Sequence, residues 1–263
     1  MTVYTKEGAF EMKSEHIVFD EAKDIWMDAY ILPVGGKFPN IKKRPFVFII
    51  PGGGYNHVSP REGDPVAFRF LAAGFSCFIL NYGVNEDAVW PKPLNDYERA
   101  AGYIMYHAAE WDLDTENFAL CGFSAGAHLA GCAAAVSKYR PKAAILGYPV
   151  ASEENVRKWS STAPSMIELI DEKMPPCFIF GNRTDETVPV EGTIKIATAL
   201  EKYGIGFELH VYSWGPHGFS TGDSSVVQVE NKNNIRSAHW VEEATAWLKE
   251  ELIDFADPSV FQR

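Results

Sequence analysis

Cysteine is scarce: Cys77, Cys121, Cys132 and Cys177 are the only four in 263 residues, and none forms a C-x-x-C pair. That excludes the dense disulfide framework of small secreted domains. Cys77, Cys121 and Cys177 lie in or beside apolar runs, where a free thiol packs as a small hydrophobe in a reducing compartment. Long hydrophobic runs are also missing. No stretch approaches the ~18 apolar residues of a membrane-spanning helix. Met1 to Asp20 carries Glu7, Glu11, Lys13 and Glu15 and has no apolar leader region. The expectation is a soluble, cytoplasmic chain with no membrane partner. Basic charge is in deficit, with 24 Lys and Arg against 35 Asp and Glu and a net charge of −11. An acidic surface repels phosphate backbones, so no nucleic-acid partner is expected either. H-E-x-x-H, G-x-G-x-x-G and a P-loop lysine are all absent, and neither a metal nor a cofactor is expected. There is no internal repeat or low-complexity tract.

What is present is ordinary globular composition, 46% apolar and 22% charged. The length suits one α/β domain over 1–263. Pro45–Pro51 and Phe75–Tyr82 are short, continuous apolar runs, the pattern of strands covered on both faces. His16–Asp20 and Ile25–Leu32 read as an antiparallel edge. Phe118–Cys121, Ala143–Gly147, Cys177–Phe180 and Phe207–Tyr212 are further strands. Helices are expected over Pro65–Ala73, with Asp64 as its cap, over Pro93–Ala109 with Asn95 or Asp96 near its start, from Ala125 to about Val136, over Pro189–Tyr203, and over Ser237–Phe255. The segment from Pro149 to Pro176 reads as a helical, cap-like insertion at about 150–176. Strands alternating with helices predict a mostly parallel, twisted sheet with helices on both faces, its chemistry at the C-terminal edge.

Gly122-Phe-Ser-Ala-Gly126 carries the strongest chemical signal. It fits G-x-S-x-G between a predicted strand and a predicted helix, the setting of a nucleophilic serine on a sharp turn. Glycines two residues either side relieve crowding around Ser124, and the new helix offers its free amides to a developing oxyanion. Ala125 N–H is one candidate donor. Gly52-Gly53-Gly54, directly after an earlier strand, allows close backbone approach, and Gly53 and Gly54 are the other candidate donors. Tyr55 and His57 follow that loop and are candidates to line a substrate pocket. Ser59, Arg61 and Glu62 read as a loop-fixing cluster, and His128 as a packed core histidine on the helix after Ser124.

A serine nucleophile of this kind needs an acid and then a histidine downstream. Asp185, in the loop after the strand ending at Phe180, is preferred over its neighbour Glu186 because a shorter side chain is held more rigidly. His217, in Trp214-Gly-Pro-His-Gly-Phe219, leaves the next strand through turn residues. His210 falls inside that strand and His239 at the start of the last helix. Ser124, His217 and Asp185 are therefore the candidate nucleophile, base and orienting acid.

Together, Pro51-Gly-Gly-Gly-Tyr55, Ser59-Pro-Arg-Glu62, Phe70-Leu-Ala-Ala-Gly-Phe75, Gly122-Phe-Ser-Ala-Gly-Ala-His-Leu-Ala130, the Asp185-to-Pro189 segment and Pro216-His-Gly218 resemble bacterial acetyl esterases and acetylxylan-esterase-like α/β-hydrolases. These sugar-hydrolase-like esterases are similar to the hormone-sensitive-lipase group, and the resemblance runs from about Ile17 to Trp247. It implies the α/β-hydrolase fold, with Asp185 as the acid. It also implies hydrolysis of short acyl esters, acetyl groups on xylose-type sugars among them. Two features depart from the group. Pro51 stands where its members have a loop-bracing histidine, so another group must brace the loop. Asn182-Arg-Thr184 before Asp185 is unusual. The insertion lacks the long apolar lid of a lipase. Amidase or formamidase chemistry on the same scaffold, and a non-catalytic binding role, are the competing readings. A small-molecule ester is the expected partner. The last helix, with Trp240, Trp247, Leu248, Leu252 and Phe255, is expected to pack on the sheet. The tail after Asp257, with Phe261, is a candidate homo-oligomer contact.

Overall fold

A computed structural model describes residues 11–35, 41–226 and 235–252. Eight strands form one sheet: β1 Lys13–Asp20, β2 Ile25–Ile31, β3 Arg44–Ile50, β4 Ser76–Asn81, β5 Leu113–Phe123, β6 Ala143–Gly147, β7 Cys177–Asn182 and β8 Phe207–Tyr212. Their spatial order is β1-β2-β4-β3-β5-β6-β7-β8. The pairs β1–β2 and β2–β4 are antiparallel, and every pair from β4 to β8 is parallel.

Burial follows the sequence pattern. β3, β4, β6 and β7 are buried at every position, as continuous apolar runs require, whereas β2 alternates buried and half-buried residues. Because side chains alternate across a strand, Phe46, Phe48 and Ile50 enter one core while Val47 and Ile49 enter the other. The first core takes Tyr97 and Ile104 from α2 (Lys92–His107), Leu129 and Ala133 from α3 (Ala125–Val136), and Ile196 and Leu200 from α5 (Glu191–Lys202). The second takes Val66 and Phe70 from α1 (Asp64–Ala72) and Trp240 and Leu248 from α6 (Trp240–Glu251). Each fully buried Phe contributes roughly 1.5–3 kcal/mol relative to exposure. The four cysteines are buried free thiols. Trp240, Trp247, Leu248 and Leu252 are buried against the sheet, as expected. Phe255, Phe261 and the rest of the tail lie outside the described residues.

Two local expectations are corrected. Asp64 does not cap α1. Gly63 is the cap residue, and the Asp64 carboxylate accepts from the Tyr30 hydroxyl at 2.7 Å, tying α1 to β2. Asn95 and Asp96 do lie near the start of α2, which begins at Lys92; buried Asp96 accepts from Gly83 N–H at 3.1 Å. The 149–176 stretch is mostly irregular. Its only regular pieces are α4 (Glu153–Val156) and a 3-10 turn over Ile167–Leu169, because Pro149, Pro164, Pro175 and Pro176 interrupt helix formation. No helix among the described residues is long and apolar enough to cross a membrane.

Parallel strands place their C-terminal ends together. The glycine loop leaves β3 there, Ser124 leaves β5, Tyr148 leaves β6, the Asp185 loop leaves β7 and the His217 loop leaves β8.

Candidate active site

Ser124 sits between β5 and α3 with φ 54° and ψ −117°, a conformation that costs a non-glycine residue about 1–3 kcal/mol. Three backbone bonds hold it: Ser124 N–H to Gly147 O at 2.9 Å, His128 N–H to Ser124 O at 3.1 Å and Val150 N–H to Ser124 O at 3.2 Å. The flanking glycines answer to close packing. A Cβ on Gly126 would lie 2.1 Å from Ile50 O and 2.3 Å from Pro51 O, and one on Gly122 would lie 2.5 Å from Gly126 O. All three contacts are with backbone, which has no rotamer to escape into.

The Ser124 hydroxyl lies 2.8 Å from His217 Nε2, and His217 Nδ1 lies 2.6 Å from Asp185 Oδ2. An ionised carboxylate only accepts, so Nδ1 carries the ring proton and Nε2 is left to accept from Ser124. The other carboxylate oxygen, Asp185 Oδ1, accepts from Thr187 N–H at 2.9 Å and Val188 N–H at 2.8 Å. The Asp185 side chain is 2% exposed, whereas Glu186 is exposed. It is Asp185, not its neighbour, that meets the histidine.

The Asn182-Arg-Thr184 segment that stood out in the sequence joins the acid loop to the histidine loop. Asn182 Nδ2 donates to Pro216 O at 2.8 Å, Arg183 Nε to Ser213 O at 3.2 Å, and the Thr184 hydroxyl to Gly215 O at 3.2 Å while accepting from Gly215 N–H at 3.0 Å. Gly215, at φ 151°, must be glycine because a Cβ would lie 2.4 Å from Asn182 Nδ2. These contacts set the His217 ring relative to Asp185.

The glycine loop has the brace that the missing histidine implied. Glu62 Oε2 accepts from Gly52 N–H at 2.7 Å, and the Tyr82 hydroxyl donates to Pro51 O at 3.0 Å. Burial raises the Glu62 carboxyl above its ordinary value, opposed by the hydrogen bonds from Tyr148 and Gly52. Among the described residues no acceptor takes the N–H of Gly53, Gly54 or Ala125. Ala125 is the first residue of α3 and is wholly buried.

Ser124 and His217 open on a cleft of about 350 Å³ shared with Gly53, Gly54, His57, Arg61, Trp159 and Thr187 among others. His57 is exposed at its edge. Tyr55 is not part of it. At 1% exposure it lies beneath the loop, its hydroxyl 2.8 Å from His128 Nδ1, so its expected place in the pocket is corrected. The reason is backbone direction: Tyr55 adopts φ 59°, which turns the chain over and sends the ring into the core. His128 is wholly buried, as expected. Its Nε2–H donates to Pro164 O at 2.8 Å, Nδ1 accepts from Tyr55, and burial depresses its pKa to about 4. Trp159, from the irregular segment, and Tyr148, whose ring centroid is 5.0 Å from that of His217, had no motif to announce them. The one available signal for Tyr148 was its place just after a buried strand.

A serine–histidine–aspartate chain on a strained elbow, in this strand order, decides the family, and comparison with known proteins agrees. The chain belongs to the α/β-hydrolases. Its closely similar solved structures include MGS-M1, an alpha/beta hydrolase enzyme from a Medee basin deep-sea metagenome library, at 33% identity and a TM-score of 0.84, covering 92% of this chain and 98% of that one. Residues 38–141 match the BD-FAE family model. The chain is 31% identical to endo-1,4-beta-xylanase B of Butyrivibrio fibrisolvens over 69% of its length and 33% of the relative's. It is 30% identical to the acetylxylan esterase of Xylanibacter ruminicola over 66% of its length and 40% of the relative's. This α/β-hydrolase thus spans well under half the length of these curated relatives.

Proposed function

We propose that this α/β-hydrolase is a serine carboxylesterase that cleaves short-chain acyl esters, acetyl esters above all, with acetylated xylo-oligosaccharides as candidate substrates. The observation that carries the reading is the bonded chain Ser124–His217–Asp185, at 2.8 and 2.6 Å, beside three uncommitted amides. Ser124 Oγ attacks the ester carbonyl carbon as its proton passes to His217 Nε2. The Asp185 carboxylate favours the imidazolium that forms. The tetrahedral oxyanion takes the N–H groups of Ala125 and of Gly53 or Gly54, each worth ~3 kcal/mol of transition-state stabilisation. The imidazolium then gives its proton to the departing alcohol, leaving an acylated Ser124. Water repeats the sequence, releasing the acid and restoring the serine.

The short acyl preference is supported by a cleft near the lower end of the ~300–1,000 Å³ typical of small-molecule sites. Its wall mixes the indole of Trp159 with His57, Arg61 and Thr187, which suits a small acyl group on a polar alcohol. Xylan-derived esters enter through the name of the Xylanibacter relative. The test is hydrolysis of p-nitrophenyl acetate, butyrate and octanoate by wild type and Ser124→Ala. Acetate should be turned over fastest, and only by the wild type. A preference for octanoate would overturn the pocket reading. Inactivity on all three, with turnover of an N-formyl anilide instead, would move the chemistry to amides.

A further inference from the structure

Glu62 does more than hold one amide. Its side chain is buried at 2% residue exposure, and both oxygens are used, Oε2 by Gly52 N–H at 2.7 Å and Oε1 by the Tyr148 hydroxyl at 2.6 Å. The direction of the second bond follows from proton accounting. Tyr148 Oη already accepts from Ser220 N–H at 3.1 Å, so its own proton points to Glu62. The carboxyl group therefore accepts at both oxygens, as a carboxylate does. Ser220 is three residues past His217. It is fixed further by its hydroxyl donating to Arg61 O and by Trp240 Nε1 donating to its carbonyl at 2.8 Å. One unbroken path thus runs from the glycine loop through Glu62 and Tyr148 to the histidine loop. It passes directly behind the nucleophile, since a Cβ on Gly52 would lie 2.9 Å from both Glu62 Oε2 and Ser124 Cβ.

The charges around this path are few. Glu62 is faced by Arg61 on its own turn and by the phenols of Tyr148 and Tyr82 after β6 and β4. The Cys121 thiol of β5 and His217 itself also sense it. His217 is faced by Asp185, the Ser124 hydroxyl and the Tyr148 ring, with exposed Glu186 farther along the acid loop.

Resting on the esterase reading of Ser124, we propose that Glu62 is a positioning residue that, through Tyr148, fixes the spacing between the oxyanion donors and His217 and adds a second buried negative charge favouring the imidazolium of the transition state. The two roles separate by substitution. Glu62→Gln removes the charge and turns an amide donor toward Gly52 or Tyr148. Tyr148→Phe keeps the charge and the ring but cuts the path with the loss of one hydroxyl.

The experiment measures kcat, KM and the pH profile of kcat/KM on p-nitrophenyl acetate for wild type, Glu62→Gln, Tyr148→Phe and Ser124→Ala, with thermal melts of each. For Glu62→Gln, kcat should fall about 10–100-fold while KM changes less than about threefold, the mark of misplaced reacting groups. Its acidic limb should move to lower pH, because the lost anion no longer favours protonation of the imidazole. Tyr148→Phe should lower kcat about 3–10-fold with the acidic limb unmoved. Folded Glu62→Gln with wild-type kcat and an unmoved limb would overturn the proposal, as would Tyr148→Phe at full kcat. If Glu62→Gln does not fold, Tyr148→Phe decides alone. Activity that Ser124→Ala abolishes but Glu62→Gln leaves intact removes only the positioning role. Wild type no more active than Ser124→Ala removes the esterase reading and, with it, this one.

Discussion

Asp185→Asn changes one atom and should nearly stop catalysis without unfolding the protein. Asp185 Oδ1 accepts from two backbone amides, Thr187 N–H at 2.9 Å and Val188 N–H at 2.8 Å. Both are donors, so the asparagine must keep its carbonyl oxygen on that side; turning the amide round would set an NH₂ against two N–H groups. Its NH₂ then faces His217 Nδ1, 2.6 Å from the atom it replaces. Nδ1 must become an acceptor, and the ring proton moves to Nε2. That places a donor where the proton of the Ser124 hydroxyl has to be received. The orientation is right and the tautomer wrong, a fault worth ~10⁴ in kcat in a triad of this kind, or about 5 kcal/mol of barrier. Stability should change little, since both backbone amides keep their acceptor. Asp185→Ala strands them and should cost about 1–3 kcal/mol for the buried Val188 N–H, with less for the part-buried Thr187 N–H, which water can reach. Steady-state turnover of p-nitrophenyl acetate and urea unfolding of both variants make the comparison. Asp185→Asn within tenfold of wild-type kcat would refute the orientation argument.

Other outcomes follow from single contacts. Thr184→Val removes the hydroxyl that both donates to Gly215 O and accepts from Gly215 N–H, and kcat should fall roughly 3–10-fold through a looser His217 loop, with KM nearly constant. Gly126→Ala drives a methyl into Ile50 O and Pro51 O and should cost about 3 kcal/mol, a drop of roughly 6–12 °C in Tm by calorimetry. His128, wholly buried, has its pKa depressed from 6.5 to about 4 by burial. A depressed histidine pKa means the unfolded chain takes up a proton that the folded chain refuses, so stability present above 6.5 is lost as pH falls toward 4. About 2 kcal/mol of stability should disappear between pH 7 and pH 5, read from urea midpoints, and a folded His128→Gln variant should lose most of that dependence.

Much of this arrangement was legible in the sequence because it follows from local rules. Continuous apolar runs such as Pro45–Pro51 mark strands covered on both faces, and the turn residues after them mark the edge where function gathers. The elbow announces itself because Gly122 and Gly126 are forced by backbone contacts, and Asp185 and His217 because each leaves a strand in the required chain order. What was not legible depends on contacts between distant segments. Tyr55 read as a pocket residue by proximity to the glycine loop, yet one left-handed residue sends its ring into the core. Asp64 had the composition of a cap but is drawn off by the Tyr30 hydroxyl. Glu62 reads in the sequence only as part of the loop-fixing Ser59-Pro-Arg-Glu62 cluster, with nothing there to say which groups it holds. Its importance comes from Gly52, ten residues earlier, and Tyr148, 86 residues later, meeting on its two oxygens. The 149–176 stretch reads as helical, but Pro149, Pro164, Pro175 and Pro176 leave it only short regular pieces.

The claim at the centre of this account is that Ser124 becomes covalently acylated with His217 as its base. The direct measurement is peptide mass spectrometry after brief exposure to a fluorophosphonate, on wild type, Ser124→Ala and His217→Ala. The account predicts a phosphonylated Ser124 peptide in the wild type, none in Ser124→Ala and labelling slowed by orders of magnitude in His217→Ala. Folded wild type that takes up no label, or carries it on another residue, would contradict it.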